Sequence, residues 1–343
     1  MIIYLFLHEF LHLFRYNMND IRSNMVGMTA MSAWMHFLVD GLCVCCLYLL
    51  MAPTDGMQVV KVFAIYNIMA FLTQPLTGLW ADYIRNRLWL LLCSAILLTA
   101  AVLAAALTVN LLLTAPVAFW GVAVLLGLGN SLFHVWGGKQ TAMTTDNDIR
   151  ALGVFVSSGA FGLAVGGVFC SWLLLFAFLL AFCLMAVIYL RQDIRSVAKR
   201  ACTGAKLAQR SFRRAEAWLF IMFIMAFVMG RSLIGETFVA GIEKKAAIVL
   251  LIGFISMLGK MAGGWIARTL GIVNALILML VAVVVCFFMD SFGMPVLLAG
   301  LFFINCTMPI TLYLANVVLK DKEGLAFGLL AAALMPGFLL SLI

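Results

Sequence analysis

Charged side chains are what this sequence has least of: Asp, Glu, Lys and Arg make up 10% of its 343 residues, against about a quarter in soluble domains. A water-soluble globule is excluded. The apolar runs also lack period-two alternation; Leu88 to Val109, for example, is apolar on every face, which excludes an outer-membrane-type barrel. The nine cysteines show no paired metal-ligand spacing and lie almost all inside apolar runs, so they read as small buried hydrophobes and imply no disulfide framework. No phosphate loop, dinucleotide fingerprint or serine-nucleophile elbow occurs, and no cofactor and no resident metal is expected.

What is present is hydrophobic sequence, 66% of the chain with a mean hydropathy of +1.15. A span takes roughly 20 apolar residues to cross a core ~30 Å thick. The runs at 28–51, 57–81, 88–109, 113–137, 150–170, 172–190, 217–240, 246–268, 271–290, 294–317 and 324–343 supply eleven, an all-α polytopic membrane protein. With the segment before Met28 in the cytoplasm, every Lys and Arg except Lys61, Arg231, Lys244 and Lys245 falls inside, which sets the orientation and directs the net charge of +8 toward the membrane surface, not to nucleic acid. The organisation expected is an N-terminal interfacial segment (1–27), a six-helix bundle (28–190), a basic cytoplasmic linker (191–216) and a five-helix bundle (217–343).

The two bundles repeat a motif. Gly78-Leu79-Trp80-Ala81-Asp82 ends the second span, and Gly264-Trp265-Ile266-Ala267-Arg268 ends the eighth, on the same side six spans later. Parallel six-span repeats place a ligand site at midplane between the halves. On these residues the chain resembles the major facilitator superfamily, whose loop signature is matched by Gly78, Ala81, Asp82 and Arg87, while the second copy has Arg268 in place of the aspartate. The resemblance implies two pseudo-symmetric bundles that rock about a central cavity, with Gly78, Asp82, Arg87, Gly264 and Arg268 forming the conformational gate. Asp82 is expected to cap a helix end or pair with a cation. Since that superfamily has twelve spans, the twelfth is expected to be missing here.

Within the superfamily the chain is most similar to the fosmidomycin-resistance-type exporters. The first span carries His36-Phe37-Leu38-Val39-Asp40 and the fourth Gly129-Asn130-Ser131-Leu132-Phe133-His134, although Val135 and Trp136 replace that group's proline and glutamate. The fifth span, Ser157 to Gly167, resembles the glycine-rich stretch of antiporters. Its glycines suit either close packing or coupling.

Ionisable side chains near midplane cost at least ~2.5 kcal/mol, so they face a cavity or a partner. Asp40 is expected to couple transport to protons, pairing with Arg231 of the equivalent seventh span; Glu236 follows Arg231, and His36 shares Asp40's helix face. His134 is placed near the cytoplasmic end of the fourth span. Asn67 and Gln74 form a stripe on the second span, with Lys260 at the position equivalent to Gln74 on the eighth. Asn130, Asn305 and Tyr313 complete the candidate contacts, the last two flanking Pro309, which allows a bend.

His8-Glu9-Phe10-Leu11-His12 is a literal H-E-x-x-H, and with Asp40 downstream it opens a different class, an intramembrane zinc protease. That reading leaves the other spans without a function. The reading adopted is a secondary transporter, not an enzyme, exporting a small organic solute in exchange for protons across a bacterial inner membrane, with proton-coupled metabolite uptake as the alternative. The partners are the solute, protons and the bilayer, with no nucleic acid; the oligomeric state is left open.

Overall fold

The structure, a computed structural model, describes residues 21–84, 88–110, 116–191 and 214–340. His8, Glu9, His12, Arg87 and nearly all of the basic linker lie outside the described residues. Every regular element among those described is helical. They are α1 (Ile21–Met51), α2 (Gly56–Asn67), α3 (Gln74–Tyr83), α4 (Leu88–Asn110), α5 (Pro116–Thr144), α6 (Ile149–Val168), α7 (Trp172–Arg191), α8 (Arg214–Ala240), α9 (Ala246–Leu270), α10 (Ile272–Phe288), α11 (Met294–Cys306), α12 (Met308–Val318), α13 (Glu323–Ala332) and α14 (Met335–Leu340). Nine stretches are long and apolar enough to span a bilayer, and the shorter apolar stretches Ile272–Phe288 and Glu323–Gly337 bring the described total to eleven.

Three spans are interrupted, each at an identifiable sequence feature. The second breaks between α2 and α3, where a π-helical turn, Ile68–Leu72, precedes Pro75; proline lacks the N–H that would continue the ladder. The tenth breaks at Thr307, just before Pro309, where the bend was expected. The eleventh breaks between Ala332 and Met335, ahead of Pro336. Threonines at two of these breaks bond back into the preceding turn: Thr73 Oγ1 donates to the Met69 carbonyl at 2.5 Å, and Thr307 Oγ1 to the Ile304 carbonyl at 2.7 Å.

Water offers no driving force between helices here, so small residues set the packing. A Cβ on Gly162 would strike the Phe37 carbonyl oxygen and one on Gly166 the Gly41 carbonyl oxygen, which shows α6 in backbone contact with α1. The glycine-rich stretch therefore packs. Short hydrogen bonds hold α5 to its neighbours, Ser94 Oγ to the Gly129 carbonyl at 2.7 Å and Thr73 Oγ1 to Ser131 Oγ at 2.8 Å. Between the halves, α9 lies along α6 and α13 along α3, the two crossings related by the pseudo-symmetry of the repeat.

Two boundaries differ most from expectation: α1 begins at Ile21 instead of 28, and the end of the fourth span bears on the site. The fourth span was expected to end at 137, yet α5 continues to Thr144 through Gly137, Gly138, Lys139, Gln140 and Thr141, all buried. Hydropathy fails there because tertiary partners satisfy the polar groups: Lys139 pairs with Asp82, and Gly138 lies against the Phe327 ring. The extension places His134 in the body of the helix, not near its end.

Candidate functional site

His36 and Asp40 sit one turn apart near the middle of α1, and α5 brings His134 against both. His36 Nε2 lies 3.2 Å from Asp40 Oδ2, His134 Nε2 lies 3.4 Å from Asp40 Oδ1, and the two Nε2 atoms are 2.8 Å apart. The acid is 8% exposed and His36 5%. Each group is also held from behind. His36 Nδ1 donates to the Phe155 carbonyl at 2.7 Å, His134 Nδ1 donates to the Asn130 carbonyl at 3.0 Å, and the Asn130 amide donates to Asp40 Oδ1 at 3.3 Å.

The carbonyl partners decide the proton positions, because a carbonyl oxygen only accepts. Both imidazoles therefore carry their ring proton on Nδ1. In the neutral form both Nε2 lone pairs then point at one another and at a carboxylate, three acceptors converging on one place. A proton on one Nε2, or another cation, must sit among them for the arrangement to be favourable. Gly159 of α6 leaves the room: a Cβ there would meet Asp40 Oδ2 and His36 Nε2.

The second half presents two cations to this cluster. Lys260 of α9 lies within electrostatic range of Asp40, His134 and Arg231. Arg231 of α8 is 7% exposed, and its buried Nε has no hydrogen-bond partner. The direct pairing of Asp40 with Arg231 is not made: among the described residues Asp40's ion partners are His36 and His134. At this depth α5, not α8, supplies the neighbour of α1, and His134, a candidate in its own right, takes the place expected of Arg231.

Other sequence candidates lie elsewhere. The amides of Asn67, Gln74 and Asn305 each donate to a carbonyl four residues back on their own helix, at 2.8 Å in all three cases. Glu236 is half-buried, and the cation it senses is Lys244 in the loop before α9. Tyr313 offers its carbonyl to the Asn147 amide at 3.4 Å, while the Asn316 amide donates to Asn147 Oδ1 at 2.8 Å, a contact between the α5–α6 turn and α12. In this structure the bonds of the three amides lie within their own helices, and that of Tyr313 lies across the inter-half seam.

The gate is closed on the side holding Tyr83, Thr144 and Glu323. The backbones of Gly78 and Gly324 are so close that a Cβ on the first would overlap the Gly324 carbonyl. Asp82 accepts from the backbone N–H groups of Gly324 at 3.0 Å and Leu325 at 2.8 Å, and from buried Lys139. Lys139 is 4.0 Å from Glu323. Asp82 thus both caps a helix and pairs with a cation. Lys139 was missed as its partner, since the sequence assigned it to a loop. In the second copy a Cβ on Gly264 would come within 2.6 Å of the Ile149 carbonyl at the start of α6, and Arg268 is exposed.

A family model described as Major Facilitator Superfamily matches residues 25–342. The chain belongs to the Major Facilitator Superfamily. Similar solved structures of this fold include the E. coli fucose:proton symporter FucP (11% identity, 92% of this chain and 90% of that chain, TM-score 0.61). A bacterial homologue of the iron transporter ferroportin in its outward-facing state is 12% identical over 91% of this chain and 90% of that chain, with a TM-score of 0.62. The human organic anion transporter TETRAN is 15% identical over 91% and 92%, with a TM-score of 0.58. No curated protein matches the chain. Membership makes this superfamily chain an integral membrane transporter, not an enzyme in the usual sense, and at these identities the structures establish its fold alone.

Proposed function

We propose that this chain is a secondary active exporter that exchanges a small organic solute for protons by alternating access, in a bacterial inner membrane with its N-terminus in the cytoplasm. The observation that carries the reading is the opposition of an acceptor cluster that needs a cation, His36, Asp40 and His134, and two cations of the other half, Lys260, within electrostatic range of Asp40, and buried Arg231, whose Nε has no hydrogen-bond partner among the described residues. A buried unpaired guanidinium is costly, and a solute bearing negative charge offsets that cost. On the orientation that the distribution of Lys and Arg favours, the closed gate faces the cytoplasm.

The export direction is supported by the resemblance of His36 to Asp40 and Gly129 to His134 to the fosmidomycin-resistance-type group. Proton-coupled uptake is the second reading, favoured by the presence of a fucose:proton symporter among the similar structures. Proteoliposomes holding the full chain test both. A panel of labelled organic acids and drugs is assayed for counterflow, then for movement driven by an imposed pH gradient. Asp40→Asn is expected to retain counterflow and lose the gradient-driven component; gradient-driven transport at the level of the unaltered protein would refute proton coupling at Asp40. The sign of the gradient that drives accumulation separates export from uptake.

A further inference from the structure

We propose that His36, Asp40 and His134 form a binding site for a divalent first-row transition-metal ion. The inference extends the reading of the cluster as a cation site and does not depend on transport.

Three independent features of the geometry support it. The first is the donor set: two imidazole nitrogens and a carboxylate, the combination that takes zinc, iron, cobalt or nickel and leaves further coordination positions open. They are the one such group among the described residues, with donor atoms within 4.8 Å of one another. The second is spacing. Metal–ligand bonds of about 2.1 Å put neighbouring donors roughly 3.0 Å apart at right angles and roughly 3.4 Å apart at the tetrahedral angle. The two Nε2 atoms are 2.8 Å apart, and Asp40 approaches one through Oδ2 at 3.2 Å and the other through Oδ1 at 3.4 Å, so the carboxylate meets an ion through both oxygens or after a small turn of its plane. A metal entering needs only small side-chain adjustments, and the proton shared by the two Nε2 atoms leaves as it binds.

The third feature is what stands behind the ligands. Metal-binding histidines almost always donate the remote ring N–H to a carbonyl or carboxylate, which fixes the tautomer and aims the lone pair. Both histidines do so, to Phe155 and Asn130. The carboxylate is steadied by the Asn130 amide. Gly159 keeps the space clear. Hydrogen bonding among the three side chains alone would not require both Nδ1 atoms to be turned to backbone carbonyls.

The charges facing the site oppose the ion. Lys260 is within range of both Asp40 and His134, and Arg231 stands next to Lys260. Affinity is therefore set against a positive background, and removing that background strengthens binding. Hydrogen bonding or simple packing of the cluster predicts no such gain.

The purified full chain is titrated with Co²⁺, read by its visible absorption, and with Zn²⁺ by calorimetry, with no gradient and no solute. The other two of the four histidines, His8 and His12, are a rival zinc site, so the titrations are repeated in a His8→Ala/His12→Ala background. One ion per chain is expected in that background, with affinity at least about tenfold weaker in His36→Ala and in Asp40→Asn. Lys260→Gln is expected to bind several-fold more tightly, and it keeps the proposal falsifiable where His36→Ala does not fold. Binding that disappears with His8 and His12, or that is unchanged in both His36→Ala and Lys260→Gln, overturns the site. Failure here leaves proton-coupled transport standing, and loss of transport with metal binding intact overturns only that reading.

Discussion

The two copies of the gate motif do the same steric job and opposite electrostatic ones. Gly78 meets the start of α13, and Gly264 meets the start of α6, each at backbone distance. At the first corner the helix has no cap of its own: Lys322, the residue before α13, makes no side-chain capping bond. Asp82 supplies the missing acceptor from the opposite half. At the second corner α6 carries its own cap, Asp148, whose side chain accepts from the Arg150 backbone N–H at 2.9 Å. An acid at position 268 would repel Asp148, whereas Arg268 attracts it. The degenerate copy is thus explained by a cap already present, and only the first corner works as a latch, because opening it removes a cap supplied in trans.

The comparison can be broken most decisively at Lys139. Lys139→Met leaves Asp82 buried and uncompensated, which costs about 3–5 kcal/mol; spin labels at exposed Tyr83 and Lys320 are expected to show the cytoplasmic side open in most molecules. If the distance distribution stays closed, Asp82 is not the latch. Asp82→Asn is expected to weaken closure by roughly 1.5–3 kcal/mol, the worth of hydrogen bonds to a charged group. The same label pair measures it, and a shift smaller than that from Arg268→Gln would invert the assignment of roles.

A smaller effect is expected in the second half of the comparison. Asp148→Ala removes a cap within one half and costs about 1 kcal/mol of thermal stability without changing the label distances. Burial raises the Asp148 carboxyl, but the bonds and charge of Arg150 and the charge of Arg268 outweigh it and hold the group below the usual carboxylate range. The folded value is depressed, so this contribution is full above the ordinary value of 3.8 and fades as pH falls below it. A melting series from pH 6 to pH 3 is expected to converge for the two proteins at its acid end. The least effect belongs to Arg268→Gln, within about 0.5 kcal/mol in both assays.

Much of this was readable before any coordinates. The spans were, because a bilayer of fixed thickness demands apolar runs of fixed length, and the gate glycines were, because they recur at one spacing in both halves. His36 and Asp40 share a face by helical period alone. The partner of the acid was not readable. His134 stands 98 residues from His36, and its depth depends on how far α5 runs past Gly138. Hydropathy ends that helix early because it counts Lys139 as loop, when a buried Asp82 lets the lysine stay in the helix.

Composition and periodicity thus determined that the chain is a set of apolar helices crossing a bilayer, since the solvent enforces that on any chain with these runs. Which charges meet is a matter of neighbours. Asp40 turning to two histidines, Arg231 left without an ion partner among the described residues and Asp82 reaching across to α13 all follow from how side chains far apart in the chain are packed, and no local pattern encodes that.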